Sequence, residues 1–331
     1  MRVLLTGGAG YIGSILSREL LERGYDVVIV DRLFFGDDPI KDIKDQVKII
    51  REDIRTVDPK HFENVDVVVD LAALSNDPSG ELDPNLTEAI NHLGRTRIAK
   101  ISKEKGVKRY IAPSSCAIYG VSDGFADENS PVNPLTAYAK ANYAWENDIL
   151  PLKDKNFTVV ILRQATVYGF SYRMRLDLLI NDFVVQAIKN RKIVIKGNGE
   201  EFRPFVHVKD DSNAIIAAIE ADSEIVNGER FNVGSNHQNV QVKELMRLIP
   251  ETLGIEIEQG FGDWIDKRNY KVKFDKIQKI LNFKPKYEIK DGIHELHRAL
   301  ENGLFHYDDP RTVTVKWYKS LLVQNPNLFN L

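Results

Sequence analysis

A glycine-rich segment near the N-terminus has the spacing of a phosphate-binding turn. Residues 6–13 read TGGAGYIG and stand between the apolar run Val3–Leu5 and an apolar-periodic stretch. Strand, glycine turn and helix in this order are the context in which the pattern indicates a dinucleotide site. We expect Gly8 to make the tight turn, Gly10 to let backbone N–H groups approach a pyrophosphate, and Gly13 to bring the helix close to its strand.

Acidic residues downstream indicate which dinucleotide binds. Val27–Val30 is predicted to be the next strand and leads to Asp31, about 20 residues after the turn, where a carboxylate accepts hydrogen bonds from the adenosine ribose. Because this carboxylate repels a 2′-phosphate, NAD is favoured over NADP, although Arg32 slightly weakens that preference. Asp53 follows the third strand, where it could meet the adenine amino group.

Two further motifs carry hydroxyl groups. One reads PSSCAIYG from Pro113 to Gly120, and the other reads PLTAYAK from Pro134 to Lys140. With the glycine turn, they resemble the extended short-chain dehydrogenase/reductase family, and most of all its nucleotide-sugar epimerases, dehydratases and reductases. The resemblance runs over nearly the whole chain and includes RQATVYG at 163–169, FRPFVHVKD at 202–210 and FNVG at 231–234.

The resemblance implies a proton-transfer pair. Ser115 would hydrogen-bond the reacting sugar hydroxyl, and Tyr138 would take its proton while a hydride passes to NAD. A tyrosine near its free pKa of about 10 is a poor base at neutral pH, and the family lowers that pKa with a lysine four residues further on. The implied cofactor-binding residues are Gly7, Gly10, Tyr11, Ile12, Gly13, Asp31, Asp53, Ile54, Leu71, Ala72, Ala73, Asn91, Ser114, Tyr138 and Asn142.

Asn142 stands where that lysine is expected. At about 100° per residue, position +4 returns to within about 40° of the tyrosine, whereas Lys140 at position +2 points roughly to the opposite side of the helix. The Asn142 amide can donate to a ribose hydroxyl but carries no charge to stabilise a phenolate. We therefore expect a raised pKa of Tyr138 and slow turnover.

The residues beside Ser115 bear on the reaction type. In the family that this sequence resembles, sugar dehydratases carry an acidic pair at the two positions after this serine. Here those positions are Cys116 and Ala117, which cannot supply both an acid and a base, so dehydration is disfavoured. Cys116 could be an acid/base group in a ring-epimerising variant. We favour a small buried thiol instead, because cysteine is among the most buried residue types.

Substrate contacts are implied by the same resemblance. Arg203 and Arg268 would bind a diphosphate through their planar guanidinium groups, the alternative being solvated surface arginines. Asn181 would face the same diphosphate, and Thr166 stands where many sugar epimerases have asparagine. The substrate-binding set is Ser75, Ser115, Thr166, Asn181, Arg203 and Arg268.

The elements that must position these residues follow from hydrophobic periodicity. Short β-branched runs alternate with amphipathic segments, which predicts an α/β fold, a Rossmann-type doubly wound parallel sheet. We expect an NAD-binding domain at 1–165 with returns near 203–235, and a smaller, interleaved C-terminal substrate-binding domain at 166–331. The first-half strands are expected at Val3–Leu5, Val27–Val30, Val47–Ile50, Val65–Leu71, Arg109–Pro113 and Phe157–Arg163, and the helices at Ser14–Arg23, Leu86–Glu104 and Ala137–Leu150.

Composition excludes several classes of protein. The chain has 331 residues, a net charge of −3 and one cysteine. Nothing in this charge balance indicates a nucleic-acid or membrane-binding surface, and a single cysteine permits no internal disulfide or Cys-based metal cluster. No signal peptide or membrane-length apolar run is evident, so we expect a soluble, cytoplasmic protein.

The histidines give no metal pattern. His207 lies in an alternating run and is interpreted as a packed strand residue, while His294 and His297 have i, i+3 spacing with no evident third ligand, unlike a zinc helix. No metal site is expected. The basic run from Lys267 to Lys290 is interpreted as a solvated helix face.

Together these features predict an NAD-dependent epimerase of nucleoside-diphosphate sugars, working by oxidation at C4 and re-reduction from the other face. A C4 dehydrogenase or reductase remains open, as does a sulfoquinovose-synthase-like enzyme, which the 175–195 region also resembles. A catalytically impaired NAD-binding protein is the third alternative, because of Asn142. The resemblance also implies a homodimer that pairs through the helix of Tyr138 and Leu86–Glu104.

Overall fold

The computed structural model describes residues 1–263 and 266–329 and is built around a seven-stranded parallel sheet. Every strand predicted for the first half is present in it, within two residues at each end, which confirms the α/β, Rossmann-type fold class. The strands are β1 (Arg2–Thr6), β2 (Asp26–Val30), β3 (Lys48–Ile50), β4 (Val67–Asp70), β5 (Arg109–Ser115), β6 (Val121–Ala126), β7 (Thr158–Gln164), β8 (Thr166–Tyr168), β9 (Lys192–Ile195), β10 (Phe202–His207), β11 (Arg230–Val233), β12 (Asn239–Gln241), β13 (Glu258–Phe261) and β14 (Asn269–Val272). The order across the main sheet is β11–β7–β5–β4–β1–β2–β3.

Helices cover both faces of this sheet because its strands are near-continuous apolar runs, whose successive residues point to opposite faces. In β1, Val3 and Leu5 pack into one core with Leu16, while Leu4 packs into the opposite core with Trp145, as the two-residue period of a strand requires. The α-helices are α1 (Tyr11–Glu22), α2 (Asp77–Gly80), α3 (Pro84–Thr87), α4 (Arg95–Glu104), α5 (Ala137–Ile149), α6 (Leu179–Asn190), α7 (Val208–Glu220), α8 (Ser223–Val226), α9 (Val242–Leu253), α10 (Asp275–Leu281), α11 (Ile289–Glu301) and α12 (Thr314–Gln324). Short 3₁₀ segments occupy Asp38–Gln46, Pro59–Phe62, Cys116–Tyr119, Leu150–Leu152, Asn236–Gln238 and Pro310–Thr312.

Two of the expected helices differ from the structure. The single helix expected over Leu86–Glu104 is divided into α3, a π-helical segment (Glu88–Gly94) and α4. The basic run from Lys267 to Lys290 contains β14 and the short α10 rather than one helix. Tyr270, Val272 and Ile277 from this run are buried, so the expectation of a solvated helix face was wrong.

The second half of the chain forms small sheets around a third apolar core. β12, β10 and β8 make one sheet, and the pairs β13–β9 and β14–β6 make two others. β11 returns to the main sheet beside β7, whereas β10 pairs with β8 and β12. Within the described residues, none of the helices combines the length and apolar character needed to span a membrane.

Candidate active site

A cavity of about 1290 Å³ opens at the carboxyl ends of the main-sheet strands. It contacts the ends of β1 and β4, which are neighbours although β2 and β3 intervene in sequence. A reversal of this kind is where ligands bind in open α/β sheets. Of the residues expected at the site, those that line the cavity are Gly7, Gly10, Tyr11, Ile12, Gly13, Asp31, Asp53, Ile54, Leu71, Ala72, Ala73, Ser75, Ser114, Ser115, Tyr138, Thr166, Arg203 and Arg268.

The glycine turn leaves no space for side chains at two positions. Gly7 has a φ of +65°, and a Cβ there would lie 2.9 Å from the backbone of Ala72. A Cβ on Gly13 would lie 2.5 Å from the carbonyl oxygen of Gly7, which agrees with the close helix approach expected there. The tight turn is made by Gly7 rather than by Gly8, whose missing side chain instead admits the side chain of Ile29.

Asp31 is held by the glycine turn itself. Its carboxylate accepts hydrogen bonds from the backbone N–H groups of Ala9, at 3.1 Å, and Leu33, at 2.7 Å. Arg32, which could have favoured a 2′-phosphate, donates instead to Asp53 at 2.6 Å. This pairing removes the argument for NADP that the sequence left open.

Asp53 is bound by two guanidinium groups. Burial opposes its ionisation, but hydrogen bonds from Arg55 and Arg32 outweigh burial and lower the pKa of Asp53 to about 2. Arg55 donates to Asp53 from its backbone and side chain, at 2.8 to 3.0 Å. An adenine contact at Asp53 would therefore share oxygens that already accept from arginine.

Ser115 and Tyr138 meet in the cavity. Ser115 ends β5, and Tyr138 lies in the first turn of α5, which begins where Thr136 accepts the N–H of Ala139 at 3.1 Å. Both residues line the cavity, and Ser115 is among the groups that lower the pKa of Tyr138. This is the arrangement expected of a proton-transfer pair, with the serine hydroxyl oriented by the N–H of Ala117 at 3.1 Å.

The pKa of Tyr138 is raised, as the missing lysine predicted, but burial is its largest cause. The strongest opposing influence is the positive charge of Arg95, which sequence reasoning missed. Ser115 and the charge of Arg175 also lower this pKa, whereas the carboxylate of Asp77 raises it. The proton affinity of the phenol is therefore set by residues far from it in sequence.

Asn142 faces Arg95 rather than the cavity. Its Nδ2 donates to the carbonyl oxygen of Tyr138 at 2.9 Å, and its Oδ1 accepts from Arg95 Nη1 at 3.0 Å. It is 1% exposed and lies outside the cavity lining. The amide of Asn142 thus already has partners in α4 and α5, and its expected contact with a cofactor ribose stays a prediction.

Two other asparagines brace loops near the cavity. Asn91 both donates to and accepts from the backbone of Leu74, at 3.0 and 2.8 Å. Asn181 accepts from the N–H of Gly169 and donates to the carbonyl oxygen of Arg175, each at 2.9 Å. Both side chains are fully buried and outside the cavity lining, and the cofactor role expected for Asn91 and the diphosphate role expected for Asn181 stay predictions.

Cys116 is a structural thiol. It is 1% exposed, donates to the carbonyl oxygen of Arg163 at 3.2 Å and lies outside the cavity lining. Burial raises its pKa well above the usual thiol value. Both observations favour the buried-thiol interpretation over the acid/base alternative for Cys116. The neighbouring Ser114 lines the cavity, but its hydroxyl donates to Glu146 at 2.6 Å.

Arg203 and Arg268 converge on one side of the cavity and are not solvated surface arginines. Arg203 is 6% exposed and pairs with Asp266 at 2.7 Å. Arg268 pairs with Asp266 and also with Asp77. A diphosphate bound here would compete with two carboxylates for these guanidinium groups.

Several residues that line the cavity were not predicted from the sequence. Arg173 and Arg175 follow the motif at 163–169 at alternate positions, a spacing that could have indicated them. Burial lowers the pKa of Arg173 to about 10, and its guanidinium lies 3.7 Å from the ring centre of Phe35. Tyr318 and Phe329 come from the far end of the chain, where no local pattern marks them.

The histidine interpretation is confirmed for His207, which is fully buried in β10 and pairs with Glu295 at 2.8 Å. Hydrogen bonds to His207 and Lys209 outweigh the burial of Glu295 and lower its pKa to about 2. In the described part of the chain, His, Cys, Asp and Glu side chains form no group of three that could hold a metal ion.

Comparison with known proteins identifies the family. A sequence profile described as the NAD dependent epimerase/dehydratase family matches residues 3–234. The chain belongs to this family. It is 30% identical to a putative UDP-glucose 4-epimerase of Methanocaldococcus jannaschii over 310 residues, which cover 91% of the chain and 99% of that relative.

Solved structures agree with this assignment to the NAD dependent epimerase/dehydratase family. MoeE5 in complex with UDP-glucuronic acid and NAD has a TM-score of 0.80 and 26% identity, over 91% of this chain and 100% of that one. The UDP-glucuronic acid 4-epimerase of Bacillus cereus in complex with UDP-glucuronic acid and NAD has a TM-score of 0.81 and 25% identity, over 91% and 99%.

The cavity fits the cofactor of the NAD dependent epimerase/dehydratase family. Gly7 and Gly13 make a turn into which no Cβ fits, and the N-terminus of α1 follows it, where an anion is stabilised. Asp31 stands at the end of β2 with Arg32 turned to Asp53, which suits a ribose with free hydroxyl groups. NAD is therefore the cofactor, with the glycine turn and Asp31 as the residues that would hold it.

Proposed function

We propose that this protein is an NAD-dependent epimerase acting at C4 of a nucleoside-diphosphate sugar. The observation that carries the proposal is that Ser115 and Tyr138 share one cavity with the glycine turn, and with Arg203 and Arg268. Reaction chemistry and cofactor binding would thus take place in one cavity. The two arginines supply the positive charge that a diphosphate requires.

The roles of the chain's own groups follow from this geometry. The Ser115 hydroxyl hydrogen-bonds the C4 hydroxyl of the sugar, and the Tyr138 phenolate takes that hydroxyl proton as C4 becomes a carbonyl. NAD, when bound, would supply the acceptor and then the donor of the hydride at C4. Epimerisation requires the sugar to present its other face before the hydride returns, after which Tyr138 gives the proton back to the C4 oxygen. No net oxidation results.

The same geometry argues against sugar dehydration. Cys116 is buried away from the cavity, and Ala117, which lines it, carries no acid or base. Elimination of water needs both a proton donor and a base beside the sugar ring. Ser115 and Tyr138 are committed to C4 in this arrangement, so oxidation and re-reduction at C4 is the better-supported reaction.

The test is conversion of sugar nucleotides labelled with deuterium at C4. Purified protein with NAD is incubated with UDP-glucose, UDP-glucuronic acid and their thymidine counterparts, and products are assigned by NMR. We expect the C4 epimer with its deuterium retained and no accumulation of reduced cofactor. Tyr138→Phe should lower the rate by about 10²- to 10⁴-fold, the usual contribution of general acid–base catalysis, whereas the exposed Lys140→Met should not.

Three results would contradict the proposal in different ways. Reduced cofactor accumulating with a keto-sugar would identify a C4 dehydrogenase. Dehydrated products would restore the dehydratase class. Tight NAD binding with no conversion of any sugar would support the impaired, cofactor-binding protein.

A further inference from the structure

Arg95 is a buried cation that contacts Asn142, the residue that stands where the resemblance leads us to expect a lysine. It opens α4 directly after the π-helical segment and is 2% exposed. Its Nη2 donates to the carbonyl oxygens of Asp70 and Pro113, both at 2.7 Å, and its guanidinium carbon lies 3.2 Å from the ring centre of Trp145. These contacts fix the guanidinium at the carboxyl ends of β4 and β5, on the cavity wall.

The charge of Arg95 is only partly compensated, by a long buried ion pair with Asp70. The nearest carboxylate oxygen, on Asp70, lies 3.8 Å from Arg95 Nε, and that Nε has no hydrogen-bond partner in the described residues. Asp70 is itself satisfied by the hydroxyl groups of Thr6 and Tyr110. Because arginine stays protonated in proteins, a positive charge persists here within the low-dielectric interior.

Asn142 is what allows the guanidinium to approach α5. Its Oδ1 accepts from Arg95 Nη1 at 3.0 Å, while its Nδ2 is anchored on the carbonyl oxygen of Tyr138 at 2.9 Å. A lysine at this position would offer only donors and would place a second cation beside Arg95. The asparagine and the arginine are therefore mutually dependent in this arrangement.

We propose that Arg95 is the cation that stabilises the Tyr138 phenolate and that Asn142 is the positioning residue that orients it. Together they would lower the pKa of the tyrosine, as a lysine four residues after the tyrosine does in the family that this sequence resembles. The inference rests on the proposed function, since only a proton-accepting Tyr138 needs a cation. It also replaces the expectation of slow turnover, because the charge has moved to another helix rather than disappeared.

The charged surroundings of this pair determine how a pH experiment is interpreted. Burial raises the pKa of Tyr138, and Arg95 is the largest influence lowering it. The other titratable groups that act on Tyr138 or Arg95 are Asp77, Arg175, Asp70, Tyr110 and Glu146. None of them changes in the variants below, so differences between variants report the Arg95–Asn142 pair.

The test measures the pKa of Tyr138 by ultraviolet difference titration of the NAD-loaded protein against Tyr138→Phe, without substrate. Asn142→Asp is nearly isosteric and pairs a carboxylate with Arg95, although it loses the hydrogen bond to the carbonyl oxygen of Tyr138. It should raise the pKa of Tyr138 by about one unit, which is about tenfold less phenolate. Arg95→Lys keeps the charge and should leave this pKa near that of the wild type. Asn142→Ala, which removes orientation only, should fall between them.

Kinetics on the same variants add a second readout. The limb of kcat that rises with pH should move to higher pH in Asn142→Asp, with the KM for the sugar nearly unchanged. An unaltered pKa of Tyr138 in both folded Asn142 variants would overturn the proposal and leave Arg95 as a structural clamp. If no variant converts any sugar while the pKa order holds, the proposed function fails and the charge assignment stands.

Folding failure of Asn142→Asp is covered by a charge exchange. Asn142→Lys alone sets two cations together and should lower Tm and activity, whereas Arg95→Met with Asn142→Lys should recover both, relative to that single variant. A single Asn142→Lys variant that is faster than wild type with Tm unchanged would overturn the proposal, since it would show that Arg95 was not supplying the charge.

Discussion

Asp211 is a fully buried carboxyl group whose ionisation opposes folding. Its side chain accepts one hydrogen bond, from Gln164 at 2.6 Å, and its Oδ1 is unpartnered in the described residues. Burial raises its pKa to about 8, against about 3.9 for a free aspartate. Between these values the folded protein holds a proton that the unfolded chain has lost. The free energy of unfolding should therefore fall as pH rises through this window, by about 1.4 kcal/mol per pH unit.

Asp211→Asn removes this titration while keeping an acceptor for Gln164. We expect the variant to exceed wild type in free energy of unfolding near pH 8, and the difference to shrink towards pH 5, as measured by urea denaturation across that range. Asp45→Asn, at an exposed position, is the control and should show no such trend. A pH-independent difference for Asp211→Asn would contradict the assigned pKa.

At the scale of elements, the sequence predicted the strands of the main sheet, because these depend on local hydrophobic periodicity. The run Val27–Val30 became most of β2 because apolar β-branched residues buried on both faces leave few alternatives. The partners of Arg95 could not be predicted in this way. They lie 18 to 47 residues away, and no spacing rule connects a residue at the start of α4 with the ends of two strands.

Asparagines show a second limit of sequence reasoning. Asn91, Asn142 and Asn181 were all expected to contact ligands, and each satisfies nearby backbone groups. An amide carries a donor and an acceptor, so it suits a backbone brace and a ligand equally well. Only the position of the surrounding loops decides between the two roles.

The role of the glycine turn can be tested by comparing alanine substitutions at two glycines. Gly7 and Gly24 both have positive φ, +65° and +79°, but only at Gly7 would a Cβ meet another backbone. Alanine at either position should cost about 1 to 2 kcal/mol in backbone strain. Gly7→Ala should cost more and also weaken NAD binding, because Ala72 would have to move. Calorimetric titration with NAD and thermal unfolding compare the two variants, and equal NAD affinity for both would contradict a cradle at Gly7.

At the scale of the whole molecule, the last described residues return to the cofactor end of the cavity. Phe329 packs against Phe34, with ring centres 5.3 Å apart, and its carbonyl oxygen accepts from Arg55 at 2.8 Å. Arg32 donates to the carbonyl oxygen of Leu328 at 3.0 Å. The two arginines that clamp Asp53 thus also hold the chain's C-terminal segment across the cavity wall.

The packing of this C-terminal segment on the cavity wall bears on whether the protein is an epimerase or a dehydrogenase. An epimerase returns the hydride to the sugar it came from and gains by retaining NAD between turnovers, whereas a dehydrogenase must exchange it. Phe329→Ala should loosen the segment and speed NAD dissociation, so that less NAD co-purifies, while the rate at saturating NAD stays near that of wild type. Val323→Ala, on the exposed side of α12, is the control. If Phe329→Ala retained as much NAD as the control, the packing of this segment on the cavity would not slow NAD dissociation. Retention of NAD would then depend on the glycine turn and Asp31.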